Sequence, residues 1–232
     1  MRPPSAVLLE LEGVIASTHA ARREALVRSL ADDGVTLGER TYDDLCHGLP
    51  VRGAVRAALE VGEVAMDETG AELVALRAAR YFLERVSTGL TLAEGSREAL
   101  ETLHSRARLA VVTRAARREA DVILGAADAA FLFESVVTAD DTPMEPKPAP
   151  AAYRLALVRL GRRRAIVASD AIALEDGRAG IRAARGAGIR CLAVGDVPAF
   201  RALDADGYLP TLRGATVESL GTLAARGGTG QG

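Results

Sequence analysis

The residues with the clearest chemical potential are two glutamates that follow a short apolar run near the start of the chain. Residues 6–9 form a pattern typical of a buried strand, and Glu10 and Glu12 come directly after it, followed by Gly13. Side chains two positions apart on an extended segment point to the same side. One such carboxylate could attack a phosphorus atom while the other transfers a proton to the leaving group.

Polar side chains with complementary chemistry follow further along the chain. Thr113 ends a β-type run, Lys147 lies in a proline-rich loop before a helix, and Glu175 and Asp176 follow another β-type run. Ligands of parallel sheets bind beyond the carboxyl ends of the strands, so these side chains are predicted to meet at one edge. Carboxylates suit Mg²⁺, while a hydroxyl and an ammonium can hold phosphate oxygens.

The elements that must position these residues alternate between strand and helix, which predicts a parallel sheet with helices on both faces. The predicted later strands lie at 109–112, within 131–137, at 171–174 and at 191–194. The predicted helices between and around them lie at 96–105, 119–124, 149–160 and 179–186.

An all-helical insert is predicted after the first strand, because no strand pattern occurs between Val14 and about residue 90. Helical spacing covers residues 20–31, 43–58 and 66–87. The fold class is therefore α/β: a Rossmann-like parallel-sheet core, formed by residues 1–15 and 90–225, with a small helical domain at 16–89. The glycine-rich segment 226–232 is predicted to be a disordered tail.

Composition and charge exclude several classes of partner. The 232 residues are 49% hydrophobic with a formal net charge of −2, which leaves a sizeable core and no electrostatic footprint for nucleic acid. Cys46 and Cys191 lie far apart without metal-type spacing, which favours free thiols in the cytoplasm. There is no secretory signal pattern and no bilayer-length apolar run. We expect no membrane partner, and a monomer or homodimer.

Four segments together resemble the motifs of the haloacid-dehalogenase-like hydrolase superfamily. The segment 10–15, Glu-Leu-Glu-Gly-Val-Ile, resembles the first motif, in which aspartates normally stand where Glu10 and Glu12 do. The segments 111–113, 146–150 and 174–188 resemble the second, third and fourth motifs. The nearest branch is that of β-phosphoglucomutase and phosphoglycolate phosphatase, whose helical cap is inserted after the first motif.

The resemblance implies a Mg²⁺-dependent phosphatase or phosphotransferase that acts on a small phosphorylated metabolite between cap and core. Glu10 would be the nucleophile and Glu12 the acid and base. The resemblance assigns Thr113 and Lys147 to the transferring oxygens, and Glu10, Asp176 and the backbone carbonyl of Glu12 to Mg²⁺, with Glu175 assisting. Two arginines are candidate contacts for the substrate anion: Arg52, in the cap segment that resembles the specificity loop, and Arg114.

The two glutamates depart from the family pattern, and the departure leaves the function open. Each gains a methylene relative to aspartate, and misplacement by about 1 Å can cost about 100-fold in rate. The chain is then either an enzyme adapted to glutamates or a catalytically impaired pseudoenzyme with a binding or regulatory role. Mg²⁺-independent dehalogenation fits the acidic pair 175–176 less well. Arg22 stands where the phosphomutase branch has a histidine, which argues against a mutase.

Ordinary structural roles remain possible for the same residues. The glutamates could be surface acids and Lys147 a solvated loop lysine, while Thr113 and Asp176 could simply cap helices. Glu175 could support the site from behind the ligands. Asp170 competes with Asp176 for the fourth-motif acid, because it too lies beside a short apolar run.

Overall fold

A computed structural model describes residues 3–46, 48–162, 164–195 and 204–227 of the chain. The contacts divide the chain into two compact units, one formed by Met1–Ser17 with Thr91–Gly232 and the other by Thr18–Leu90. We call them the core unit and the helical unit. The predicted fold class, an α/β core with an all-helical insert after the first strand, is confirmed.

The core unit is built on a six-stranded sheet in the order β3-β2-β1-β4-β5-β6, with parallel pairing throughout. Its strands are β1 (Ala6–Leu9), β2 (Arg108–Val112), β3 (Ser135–Val137), β4 (Ala171–Glu175), β5 (Arg190–Val194) and β6 (Gly207–Leu209). In the central strand, Leu8 lies beside Ala110 of β2 and Ala173 of β4. The chain winds outward from β1 in both directions, which leaves a crevice at the carboxyl ends of β1 and its neighbours.

The helices follow the predicted alternation. In the helical unit they are α1 (His19–Ala31), α2 (Glu39–Thr41), α3 (Val51–Val61) and α4 (Glu68–Thr88). In the core unit they are α5 (Ser96–His104), α6 (Arg117–Ala126), α7 (Ala151–Leu160), α8 (Arg178–Gly186) and α9 (Val217–Gly227). One apolar cluster joins the sheet to α7 and α8 through Leu8, Val112, Tyr153, Leu160 and Ile181.

The helical unit has a core of its own. Small and aliphatic side chains of α1, α3 and α4 pack together, with Leu30, Val55 and Val74 almost fully buried. Asp67 is the N-cap of helix α4, and its carboxylate accepts a hydrogen bond from Gly70 N at 2.7 Å. Arg22, at the position where the phosphomutase branch has histidine, lies over the ring of Phe82 at 3.9 Å within this unit.

The single helix predicted over residues 43–58 is wrong. The structure has a π-helical turn at Tyr42–Cys46 and then a break before α3. Pro50 explains the break, because proline excludes the preceding residue, Leu49, from the helical conformation and lacks an N–H of its own. Pro50 instead forms the N-cap of α3.

The carboxyl-terminal part also differs from the prediction. Strand β6 and helix α9 were not expected, and α9 continues through Arg226 to Gly227, where a disordered tail was predicted. Residues 228–232 of that predicted tail lie outside the described residues. Within the described ranges, no helix has both the length and the apolar character needed to cross a bilayer.

Candidate active site

The ammonium group of Lys147 links three strands at the carboxyl edge of the sheet. Its Nζ donates hydrogen bonds to Glu10 Oε2 at 2.7 Å, to Glu175 Oε1 at 2.5 Å and to the carbonyl oxygen of Val112 at 2.7 Å. Lys147, Glu10 and Glu175 are all buried. Lys147, of the third motif, therefore contacts residues of the first and fourth motifs directly. It also donates to the backbone carbonyl of Val112, which belongs to the second motif.

The strand register explains this convergence. Glu175 and Val112 are the last residues of β4 and β2, the two neighbours of β1. Glu10 follows β1, and its backbone N–H donates to the carbonyl oxygen of Leu174 at 2.9 Å. Its Oε1 accepts a hydrogen bond from the N–H of Leu11 at 2.8 Å, so both carboxylate oxygens of Glu10 have a donor.

Tyr153 completes the buried network and was not singled out in the sequence. It lies on α7 with no exposed surface, and its hydroxyl donates to Glu175 Oε1 at 2.5 Å. The Lys147 ammonium lies 5.2 Å from the centre of the Tyr153 ring. Glu175 Oε1 thus accepts from two donors, which fixes the orientation of this carboxylate. The sequence offered one signal for Tyr153, namely that it shares the helical spacing of the apolar residues Ala152, Ala156 and Leu160, which are buried. A tyrosine on a buried helix face needs a hydrogen-bond partner for its hydroxyl.

The buried network contains more carboxylate groups than ammonium groups. Burial raises the pKa of Glu175 to about 7; Lys147 opposes the rise, while Glu10 and Asp176 add to it. Burial alone would lower the pKa of Lys147, but Glu10 and Glu175 outweigh it and the pKa is raised. Burial also raises the pKa of Tyr153 well above its usual range, so its hydroxyl remains a donor.

Two glycines make room for the acids of the fourth motif. A Cβ on Gly13, whose φ is +79°, would lie closer than 3.0 Å to the Asp176 carboxyl group. A Cβ on Gly180 would clash in the same way with the Glu175 carboxyl group. Asp176 therefore lies against the loop that carries Glu10 and Glu12, which explains why glycine follows the glutamate pair.

The remaining predicted site residues of the core unit differ in their burial and position. Thr113 is buried just beyond β2, and its Oγ1 accepts from the N–H of Ala115 at 3.2 Å. Glu12 and Asp176 are half-buried, and Arg114 is exposed. Asp170 ends a 3₁₀ turn before β4, at the opposite edge of the sheet, so of the two competing acids only Asp176 lies at the edge with Glu10.

Arg52 belongs to the helical unit. It is exposed on α3, and its guanidinium forms an ion pair of 2.6 Å with Glu72 of α4. Its role in binding a substrate anion stays a prediction.

The donor chemistry at the carboxyl edge fits Mg²⁺. Glu10 and Glu175 share a single ammonium, and Asp176 adds a further negative charge that acts on Glu175, which leaves an excess of negative charge. Among the described residues, no group of three acidic, histidine or cysteine side chains is arranged to hold a metal by itself. Mg²⁺ does not require one, because it usually binds one or two carboxylates and fills its other positions with water and phosphate.

Comparison with known proteins defines the class. The family model of haloacid dehalogenase-like hydrolases matches residues 7–194, so the chain belongs to that family. The predicted branch is confirmed as well. The protein CbbY of Rhodobacter capsulatus is 28% identical over 80% of this chain and 82% of that protein. The structure of a putative β-phosphoglucomutase from Thermotoga maritima is 28% identical with a TM-score of 0.73, covering 95% of this chain and 99% of that one.

Two curated relatives are named phosphatases. The validoxylamine A 7'-phosphate phosphatase of Streptomyces hygroscopicus subsp. limoneus is 32% identical over 80% of this chain and 83% of that protein. The phosphorylated carbohydrates phosphatase of Thermotoga maritima is 30% identical over 79% of this chain and 82% of that protein. The crystal structure of CbbY from Rhodobacter sphaeroides with phosphate has a TM-score of 0.82 at 24% identity, covering 94% of this chain and 99% of that one, and shows a shared fold.

Proposed function

We propose that this protein is a Mg²⁺-dependent phosphoric monoester hydrolase that acts on a small phosphorylated metabolite, with Glu10 as the nucleophile. The observation that carries the proposal is the contact of Lys147 with both Glu10 and Glu175 at the carboxyl edge of the sheet. A buried cation beside a candidate nucleophile can hold the oxygens of a transferring phosphoryl group. The two phosphatase relatives favour a phosphorylated carbohydrate or a similar polyhydroxylated ester as substrate.

The chemistry assigned to the chain's own residues has two steps. In the first, a Glu10 carboxylate oxygen bonds to phosphorus while the bond to the leaving oxygen breaks, and Glu12 gives that oxygen a proton. In the second, Glu12 takes a proton from water, the water oxygen bonds to phosphorus, and the bond between phosphorus and the Glu10 oxygen breaks, which frees the Glu10 carboxylate and inorganic phosphate. Thr113 and Lys147 hold the transferring oxygens throughout.

Mg²⁺ would be held by Glu10, Asp176 and the backbone carbonyl of Glu12, with Glu175 assisting, and would neutralise charge on the phosphoryl group. Arg114 and Arg52 are the proposed contacts for the rest of the substrate. Glu175 and Tyr153 orient Lys147 from the buried side of the site.

A second function is favoured by the same cation. Lys147 has three N–H donors, and three acceptors already use them. A substrate phosphate must therefore displace one acceptor before Lys147 can bind it. A site that is satisfied without substrate suits a pseudoenzyme that binds a ligand or partner without turnover.

A phosphatase assay with sugar phosphates and other esters, with Mg²⁺ and with EDTA, separates the two functions. The enzyme hypothesis expects Mg²⁺-dependent phosphate release by the wild type and loss of it in Glu10→Gln. The pseudoenzyme hypothesis expects no release by the wild type but release by the Glu10→Asp/Glu12→Asp double variant, because aspartates would restore the usual reach. Phosphate release that is unchanged in Glu10→Gln would contradict Glu10 as nucleophile.

A further inference from the structure

A cleft of about 390 Å³ opens in the core unit at the end of the sheet opposite the candidate active site. The residues around it begin strands rather than end them: Ser5 precedes β1, Arg108 opens β2, Glu134 precedes β3 and Asp170 precedes β4. We call it the amino-edge cleft. Its volume lies within the roughly 300–1,000 Å³ of small-molecule sites.

The amino-edge cleft is separate from the phosphatase site. Glu10 and Glu175 lie past the carboxyl ends of β1 and β4, whereas Ser5 and Asp170 precede the same strands. Strands of four and five residues at about 3.3 Å per residue place roughly 13–17 Å between the two edges. The roles proposed for Glu10 and Glu175 therefore do not involve the residues that line the amino-edge cleft.

One side of the cleft is held rigid by an ion pair. Arg108 Nε donates to the two carboxylate oxygens of Glu134 at 2.9 and 3.0 Å, and its Nη2 donates to Oε2 at 2.6 Å. Arg108 and Glu134 carry opposite charges, so this pair adds no net charge to the cleft.

The remaining charges favour an anion. Arg106 and Arg164 line the cleft, are exposed, and have no acidic partner among the residues that the structure describes. Among the described residues of the lining, the only other acid is Asp170, so the lining contributes two arginines outside the ion pair and one carboxylate.

His104 adds a polar group to the same lining. Its Nδ1 lies 3.0 Å from the carbonyl oxygen of Leu132, which can only accept, so Nδ1 carries a proton and Nε2 is the nitrogen left to a ligand.

We propose that the amino-edge cleft binds a small phosphate-bearing molecule with at least two negative charges. The guanidinium groups of Arg106 and Arg164 match the geometry of phosphate oxygens, each through two parallel N–H donors. Ala107, Ala165 and Ile166 also line the cleft and offer apolar surface to the uncharged part of such a molecule. A second phosphate site on a phosphatase core would let a metabolite bind without entering the reaction.

His104 gives a local reporter for the test, because the chain has only three histidines. Uniformly ¹⁵N-labelled protein in EDTA would be titrated with inorganic pyrophosphate, a nucleoside diphosphate and a sugar bisphosphate while the histidine ring signals are followed. The His104 signal is assigned by its loss in His104→Gln. We expect at least one of these ligands to shift the His104 signal saturably at concentrations below about 10 mM. The ligand that binds most tightly identifies the class of molecule that carries the phosphate.

Paired double variants decide the assignment. Arg106→Ala/Arg164→Ala should weaken the binding seen at His104 by about 10-fold or more. Arg118→Ala/Arg154→Ala removes the same charge from exposed arginines outside the lining and should leave the affinity within about 2-fold. The proposal is overturned if no ligand shifts His104 saturably, or if both double variants bind as the wild type does. Catalytic activity plays no part in this readout, so failure of the phosphatase proposal would leave it untouched.

Discussion

The carboxyl group of Glu175 occupies the space in which a side chain at Gly180 would begin. A Cβ at that position would lie closer than 3.0 Å to the Glu175 carboxyl carbon and both of its oxygens. The same carboxylate accepts hydrogen bonds from Lys147 and Tyr153. It therefore cannot move away from α8 without breaking the buried network.

Gly180→Ala is accordingly expected to destabilise the protein by about 1–3 kcal/mol and to reduce any phosphatase activity, because the new methyl group displaces Glu175. Gly125→Ala is the matched control. Gly125 lies on α6, and a Cβ there would meet nothing within 4 Å. That variant should be unchanged or about 0.5–1 kcal/mol more stable in urea unfolding, since alanine favours helix. Equal stability of the two variants would contradict the close approach.

Lys147→Met is expected to cost about 3–5 kcal/mol, because it leaves Glu10 and Glu175 buried without their cation. Adding Glu175→Gln to Lys147→Met should cost less than the sum of the two single changes, since one unpaired charge is removed with the other. Urea unfolding of the wild type, both single variants and the double variant measures this coupling. Additive costs would mean that Lys147 and Glu175 do not stabilise each other in solution.

Tyr153→Phe keeps the buried ring and removes only the hydroxyl that donates to Glu175. We expect a loss of about 1–3 kcal/mol, because a buried acceptor loses one of its donors. If the phosphatase proposal holds, kcat should fall more than KM rises, since Tyr153 acts through Glu175 and touches no substrate. Tyr208→Phe serves as the comparison, because its hydroxyl donates to the carbonyl of Gly195 at 2.8 Å on an exposed side chain. Indistinguishable kinetics and stability of the two variants would remove Tyr153 from the network.

Asp141 gives a pH prediction that is independent of the site. Burial alone would raise its pKa, but hydrogen bonds from Arg159 and Thr138 lower the pKa to about 2. A carboxyl with a depressed pKa in the folded state stabilises the protein above its unfolded pKa, near 3.8, and loses that contribution as the pH falls toward 2.

Asp141→Asn should therefore be less stable than the wild type by about 2 kcal/mol at pH 6, with the difference shrinking below about pH 4. Urea unfolding between pH 6 and about pH 2 measures the difference. Glu101→Gln, a change at an exposed acid on α5, should show no comparable trend with pH. A difference for Asp141→Asn that stays constant with pH would show that packing, and not charge, stabilises this turn.

Much of the fold could be predicted because its signals are local. Apolar runs that stop at a polar residue marked β1, β2 and β4, and their parallel order followed from the helices between them. Strand β6 was missed because its three residues, Gly207 to Leu209, include no buried apolar run. The break before α3 was missed because helical periodicity was allowed to continue through Pro50.

Site residues that belong to a sequence motif could be predicted, whereas a residue placed in the site by tertiary packing could not. Glu10 and Lys147 come from segments 137 residues apart, yet their contact followed from placing both at the carboxyl edge. Tyr153 was missed because its role depends on which face of α7 meets Glu175, and spacing alone does not give a helix's rotation against a sheet. The roles of Arg52 and Arg114 remain predictions.

The two core-unit segments that flank the helical insert are joined to each other. Ser17 N–H donates to the carbonyl oxygen of Thr91 at 2.8 Å, and Ala16 forms a β-bridge with Leu92 one step further in. The core unit thus closes across the insertion point through its own backbone contacts. A change in the length or sequence of the insert is therefore expected to leave this closure in place, and with it the segments of the core unit that carry Glu10, Lys147 and Glu175.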